Sequence, residues 1–365
     1  MKDDIQIFAT GTMRGGGSLL QNMLSVHTDI TMLAGFILFF RFYYQKFEPL
    51  NEKSIEKMIG ELSIRLKYRK GFEIDKDAII DDIFSNDLTY AICYRSIINE
   101  LKSQTEKKYL GEYVTLGWRD IPVFLELFPQ AKIIHMCRDP RAILSSFSRI
   151  TNMPDNLYLN SIFNWIDSVN HIQKYKNSLP KNHYKVIKFE DIHNDPNKIS
   201  KELCQFLEID FQEQMLEPEK WNDLFDKNFV DANISAYSKK KVFGFDVKRT
   251  EKWKESIDQE DLHIIEYLAI DQMNSMDYQP ALSSYDDKVL SNGLRKVREQ
   301  KILNKNLNHF LESGEGTDLA PNDPTDPKNW DAPGDAFTKF TEHEIYEKYL
   351  TDYAELNLSL ETKYQ

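Results

Sequence analysis

Four short apolar runs punctuate the first half of the chain: Ile5–Ala9, about Tyr109–Leu116, Lys132–Met136 and Tyr184–Phe189. Each is strand-sized and predicts a buried strand. Between the first two, apolar residues recur at helical spacing at about Glu52–Arg69 and Leu88–Lys102. Asp139-Pro140-Arg141 opens a further helix, with proline at the first turn where its missing N–H costs nothing. Amphipathic helices follow over Tyr158–Asn177, closed by Pro180, and from Asp195-Pro196-Asn197 through Phe206, with Leu203 and Leu207 spaced for burial. Gln259–Met276 is another helix. Strands alternating with helices predict an α/β fold, a three-layer arrangement with a central parallel sheet flanked by helices. Thr31–Tyr44, the most apolar stretch, is too short to span a bilayer and is closed by Arg41 and Lys46, so it reads as a buried helix or loop.

The pattern changes near Ser284. Residues 1–284 read as the body and 285–365 as an acidic C-terminal extension, partly loop and partly helical. Gly314–Gly334 carries Pro321, Pro324, Pro327 and Pro333 among small polar residues, a loop composition, and Thr341–Leu358 predicts a last helix. Charge follows the same division. Of the formal −12, Leu311–Gln365 supplies −9, from thirteen Asp or Glu against four Lys. The body is nearly neutral and free to hold a local cationic pocket, while the overall charge argues against general nucleic-acid binding. Three cysteines, Cys93, Cys137 and Cys204, make neither a disulfide framework nor a metal site, and fit a reducing compartment. Met1-Lys2-Asp3-Asp4 has no signal-peptide character, so the expectation is a cytoplasmic protein without a membrane span. Self-association through the extension stays open, as does its covering of the site.

Candidate chemistry starts directly after the first run, at Gly11-Thr12-Met13-Arg14-Gly15-Gly16-Gly17-Ser18, with Leu19-Leu20-Gln21-Asn22-Met23-Leu24 opening a helix. Strand, glycine loop and helix aim backbone N–H groups and a helix N-terminus at an anion. The spacing is that of a Walker A loop, G-x-x-x-x-G-K-[ST], but Gly17 replaces the lysine and the loop's only cation is Arg14. A phosphate-binding loop (P-loop) is therefore expected, without ATPase or kinase chemistry. A second segment, Ile133 to Ser146, ends a strand at Arg138 and places Ser146 eight residues on, inside the next helix. Ligands of such sheets sit at the carboxyl ends of the strands. Arg138 as a fork and Ser146 as a short donor suit one phosphate, although a structural salt bridge and a solvent-facing serine fit the segment equally when it stands alone.

Together these segments resemble the sulfotransferase family that uses 3′-phosphoadenosine 5′-phosphosulfate (PAPS). The first is similar to its 5′-phosphosulfate loop, R-S-G-T-T-L-L or K-S-G-T-T-W, and the second to its 3′-phosphate motif R-D-P-R-A-x-x-x-S. Weaker matches follow in the expected order. They are Phe128-Pro129-Gln130-Ala131-Lys132-Ile133-Ile134, Lys188-Phe189-Glu190-Asp191-Ile192 with Asp195-Pro196, and Arg249-Thr250-Glu251-Lys252-Trp253-Lys254. The resemblance runs from about Ile5 to Tyr278 and is closer to the carbohydrate and tyrosyl-protein branches. It implies an enzyme that moves a sulfuryl group from PAPS to a hydroxyl or amine, releases adenosine 3′,5′-bisphosphate (PAP), and uses no metal. It implies Arg14 on the leaving phosphate, with Gly15, Gly16, Gly17, Ser18 and Leu19 around the 5′-phosphate. It further implies Arg138, Ser146 and Arg249 on the 3′-phosphate, and Phe189 where the family stacks adenine.

Two departures stand out. Gly15 and Gly17 replace residues that are usually Ser and Thr, and Ala34-Gly35-Phe36, after His27-Thr28-Asp29-Ile30, occupies the place of a catalytic glutamate. Gly117-Trp118-Arg119-Asp120-Ile121-Pro122 is similar to the cytosolic branch's K-T-x-x-P, and Asp120 stands where that branch has a histidine base. Asp120 is therefore the first candidate for general base, against an equally weighted reading as a helix cap; Glu48 and Glu112 are weaker candidates. Arg119 is read as either a sulfuryl contact or a surface ion pair. His135 and His27 read as structural, and Trp165, Trp221 and Trp253 as packing. Tyr43, Tyr44 and Phe47 are read as core or as acceptor-pocket lining, and Lys239-Lys240-Lys241 with Phe243-Gly244-Phe245 as a donor-steering or solvated run. A small-molecule or glycan acceptor is expected, with a weak preference for glycan. A silent PAP-binding protein and a P-loop phosphotransferase are the alternatives.

Overall fold

The computed structural model describes residues 5–105, 107–149, 155–221, 244–317 and 345–364. Five parallel strands form one sheet, β1 (Ile7–Gly11), β2 (Ile30–Ala34), β3 (Tyr109–Thr115), β4 (Lys132–Cys137) and β5 (Tyr184–Lys188), in the order β2-β3-β1-β4-β5. β1 lies at the centre, with Ala9 opposite Tyr113 on one side and Ile134 on the other. The chain winds outward from it in both directions, which leaves a crevice at its carboxyl end.

The expected α/β class is what the chain adopts, and four of the five strands lie where the apolar runs place them. β2 is the correction. Thr31–Tyr44 is neither one helix nor a loop: Ile30–Ala34 is an edge strand hydrogen-bonded to β3, and α2 (Phe39–Phe42) follows it. An apolar run of five is ambiguous by periodicity, and pairing with β3 decides it.

Helices cover both faces. α1 (Gly17–Ser25) and α10 (Pro196–Leu207) pack on one, around Leu20, Met23, Ile134 and Leu203. α3 (Glu52–Lys70), α4 (Lys76–Phe84), α5 (Tyr90–Ser103) and α6 (Ile121–Leu127) build the other, around Phe8, Leu62, Ile97 and Phe124. α7 (Pro140–Phe147) and α8 (Asn160–Ser178) form a third cluster beside β4. α9 (Phe189–Asn194) follows β5, and α11 (Lys248–Glu251) leads to α12 (Gln259–Ser275).

Beyond Ser284, α13 (Asp287–Glu299) and α14 (Lys301–Ser313) pack on α12 and α8, with Val297 and Leu303 buried in the third cluster. α15 (Ile345–Lys363) lies along α3, where the Tyr353 hydroxyl donates to Glu61 at 2.9 Å and Lys67 pairs with Asp352 at 2.7 Å. Lys239–Lys241 and Phe243 fall outside the described residues, as does most of Gly314–Gly334. Among the described residues no helix is long and apolar enough to cross a membrane, and no His, Cys, Asp and Glu cluster could hold a metal ion.

Candidate active site

The glycine loop turns at the carboxyl end of β1, where the Gly15 N–H donates to the Thr12 carbonyl at 3.0 Å. Arg14 has φ 62° and Gly16 φ 104°. For a residue with a Cβ, as Arg14 is, the left-handed region costs roughly 1–3 kcal/mol and is kept only where surroundings or function demand it. Gly16 caps α1, and no side chain accepts from the helix's first N–H groups. The Leu19 and Leu20 N–H groups bond the Gly16 carbonyl at 3.0 and 3.2 Å, which leaves those of Gly17 and Ser18, at the positive end of the helix dipole, open to an anion.

Close packing explains the glycines. A Cβ on Gly16 would stand 2.6 Å from the Phe189 ring, and one on Gly17 would stand 2.4 Å from the Tyr113 ring. Tyr113 thus fills the space that a Walker lysine's stem or the family's threonine would need. Its hydroxyl is buried without a hydrogen-bond partner, and burial pushes its pKa up.

Arg14 and the Arg138–Ser146 segment meet. The Arg14 Nε donates to the Ser146 Oγ at 2.9 Å across 132 residues of sequence, and an Arg138 N–H donates to the Arg14 carbonyl at 2.8 Å. Arg138 is held from behind: the Trp165 indole donates to its carbonyl at 2.9 Å, and the Glu190 carboxylate accepts from the next N–H, of Asp139, at 2.9 Å. The Tyr278 hydroxyl holds the other Glu190 oxygen at 2.9 Å. Arg141, the second arginine of the motif, is structural: it pairs with Asp139 and Glu266, both at 2.7 Å, and lies 4.0 Å above the Trp253 ring.

Phe189 is nearly fully buried, with the Arg138 guanidinium 4.1 Å above its ring and His193 4.4 Å away edge-on. In this arrangement it supports the arginine and the loop and offers no open face for stacking. Arg249, on α11, lies near enough to His193 for its charge, like that of Arg138, to lower the imidazole pKa. His193 itself was missed in the sequence. It lies one helical turn after Phe189, a spacing that signals a shared face.

Asp120 sits at the same sheet edge. Thr10 of β1 donates to the Val114 carbonyl at 2.7 Å and accepts from the Gly117 N–H at 3.0 Å, which fixes the single 3₁₀ turn Gly117–Asp120 beside the loop. Asp120 precedes α6, yet its side chain accepts no hydrogen bond from that helix. It is largely buried, and loss of solvation raises its pKa to about 6 against the opposing pull of Arg119. Arg119 is committed elsewhere: it pairs with buried Asp167 and donates to the Gly316 carbonyl at 2.7 Å.

The other carboxylates separate cleanly. Glu48 is exposed on the surface. Glu112 is buried at 1% exposure and accepts from the Ile37 and Leu38 N–H groups at 2.6 and 3.0 Å, while Arg65 donates to the Phe36 and Ile37 carbonyls at 2.8 and 2.6 Å. The pair clamps the turn after Gly35, whose φ of 53° lies in the left-handed region that favours glycine over a residue with a side chain. Glu112 is an anchor and has no access to an acceptor. His135 is a core residue between Tyr184 and Ser168, at 2.8 and 2.9 Å. His27 closes α1 by accepting from the Asp29 N–H at 3.0 Å. Tyr43 and Phe47 lie in the core, and Tyr44 is partly exposed beside them.

A family model described as the sulfotransferase family matches residues 6–213. Among solved structures, the sulfotransferase domain from the olefin synthase of Synechococcus PCC 7002 aligns with TM-score 0.51 and 20% identity, over 75% of this chain and 94% of that one. The sulfotransferase domain from the curacin biosynthetic pathway aligns with TM-score 0.50 and 19% identity, over 75% and 97%. At such identities the likeness is one of fold. A search of curated proteins returns no match.

Proposed function

This chain belongs to the sulfotransferase family, and from that premise we propose that it transfers a sulfuryl group from PAPS to a hydroxyl or amine, releasing PAP. One observation carries the reading: Arg14 of the glycine loop touches Ser146 of the Arg138 segment at 2.9 Å. A ligand held by both cradles needs two anionic groups a nucleoside apart, which PAPS has and ATP lacks in that placement. The N–H groups of Gly16, Gly17 and Ser18, with the Ser18 hydroxyl, would take the 5′-phosphate, while the Gly15 and Leu19 N–H groups hold the loop's shape by bonding the Thr12 and Gly16 carbonyls. Arg138, Ser146 and Arg249 would take the 3′-phosphate, with Phe189 as the floor beneath Arg138.

The mechanism follows from charge. As the bond between sulfur and the bridging oxygen breaks, negative charge grows on the 5′-phosphate, and Arg14 stands where it is needed. A side chain that gains contact as charge develops lowers the barrier more than one that binds both states alike. The acceptor must lose a proton, and Asp120 would receive it. An unpaired carboxylate with its pKa raised to about 6 is a better base than a solvated one and stays ionised at neutral pH. The absence of a cap bond at Asp120 favours this role over helix capping. No residue of the site requires a metal ion.

The test has two arms. Thermal unfolding should show stabilisation by PAP without metal and none by ATP with magnesium, since only a ligand that prefers the native state raises stability. Incubation with PAPS and a panel of phenols, lipids and glycans should release PAP with at least one acceptor. Stabilisation by ATP alone would favour a phosphotransferase, and PAP binding without turnover on any acceptor would favour a silent binding protein. Among the acceptors we propose a small hydroxyl compound or a glycan.

A further inference from the structure

His193 is 3% exposed, and its Nδ1 accepts the Asp246 backbone N–H at 2.8 Å. That bond fixes the tautomer: the nitrogen that accepts has no proton, so Nε2 carries it. Among the described residues Nε2–H has no acceptor, and it is closed to solvent. A buried donor left unmade is destabilising, and native structures keep few of them. The groups around it are a Phe189 ring edge-on at 4.4 Å, a Phe245 ring at 6.5 Å, and the Arg138 and Arg249 charges. Asp246, the nearby acid, turns its carboxylate to the Lys248 N–H at 3.0 Å. A buried donor among rings and cations, with no acceptor among the described residues, is one that an anion would satisfy.

We propose that His193 Nε2–H is a binding group for the 3′-phosphate of the nucleotide, held ready by Asp246 and completing the set begun by Arg138 and Arg249. The inference rests on the reading of a 3′-phosphorylated donor. Burial and the two arginines lower the imidazole pKa to about 4, so the ring is neutral at physiological pH and gives one directed hydrogen bond without adding a third charge. The Asp246 N–H bond has a second effect. It ties α9 to the turn that carries Arg249, so the imidazole orients one cation and contacts the ligand of both.

Two substitutions separate the nitrogens. Asparagine places an acceptor where Nδ1 is and removes the Nε2 donor, whereas glutamine places an amide N–H near Nε2 and gives up the Nδ1 position. Calorimetric titration of the full chain with PAP and with 5′-AMP, which lacks the 3′-phosphate, reads both. His193→Asn should weaken PAP about 10-fold or more and leave 5′-AMP within about twofold, while His193→Gln, which keeps a donor and loses only the Asp246 tie, should weaken PAP by less than about 3-fold. The reverse order, or an equal loss for both nucleotides, overturns the inference by making His193 purely structural. If wild type fails to bind PAP at all, the PAPS reading itself falls, a distinct result. A measurement without variants stands beside these: the Nε2–H proton resonance of wild type should shift downfield with PAP and stay put with 5′-AMP. No shift with a saturating, bound PAP refutes the contact.

Discussion

Asp120 shows how environment sets chemistry at a single residue. Its carboxyl is partly buried with no hydrogen-bond partner among the described residues, and loss of solvation raises its pKa to about 6 against the opposing pull of Arg119, which pairs with Asp167 and Gly316. Turnover should therefore rise with pH through about 6 and level off above it, read as kcat/KM for the acceptor. The linkage to stability has the opposite sign. A folded-state pKa above the unfolded one means that the native state binds the proton more tightly, so this group's contribution is lost as pH rises. Asp120→Asn should abolish most turnover yet raise stability at pH 7–8, on the order of 1–2 kcal/mol. Arg14→Ala should reduce kcat by about 100- to 1,000-fold, as expected when a donor to developing charge is removed. Gly17 tests packing. Gly17→Thr would restore the family's residue but drive its Cβ into Tyr113. It should destabilise the protein by about 1–3 kcal/mol and recover when paired with Tyr113→Ala, a coupling measured by a double-mutant cycle.

At the scale of elements, the site depends on how three turns are held. The glycine loop is fixed by its own backbone bond and by the ring of Phe189 beneath Gly16. The Arg138 turn is held by Trp165 and Glu190, and the Asp120 turn by Thr10. The turn after β2 is clamped by Glu112 on its N–H groups and Arg65 on its carbonyls. Burial raises the Glu112 pKa and its backbone donors lower it, with burial the larger effect. Glu112→Ala should cost about 3 kcal/mol, by leaving N–H groups and Arg65 unpaired. Glu112→Gln, which still offers an oxygen, should keep turnover within a few-fold, an outcome a catalytic base would not allow.

Over the whole molecule, the described residues beyond Ser284 join the body at two places. α13 and α14 complete the third core cluster, and the chain leaving α14 reaches Arg119 and Asp167, where the Gly316 N–H donates to Asp167 at 3.2 Å. α15 docks on α3 through Tyr349, which is fully buried, and through the exposed Lys67–Asp352 pair. Tyr349→Ala should lower stability by about 3 kcal/mol, whereas Lys67→Ala should change it by less than about 1 kcal/mol, because exposed ion pairs contribute little. Chemical denaturation of the two variants separates these values.

Local signals in the sequence determined a great deal of this. The glycine loop after an apolar run, proline after Asp139, and the spacing of Arg138 to Ser146 each specify backbone geometry within a few residues. They therefore sufficed for the sheet class, most helices and the turns on which the proposed anion-binding residues stand. Tertiary structure decided what depends on residues far apart in the chain. β2 became a strand because β3 lies beside it; Glu112 became an anchor because Arg65 and the turn at Gly35 close around it. Asp120 gained its raised pKa from loss of solvation on folding, and His193 gained a fixed tautomer because Asp246, more than fifty residues on, bonds its Nδ1. Solvation and pairing are properties of surroundings, and only the folded chain supplies them.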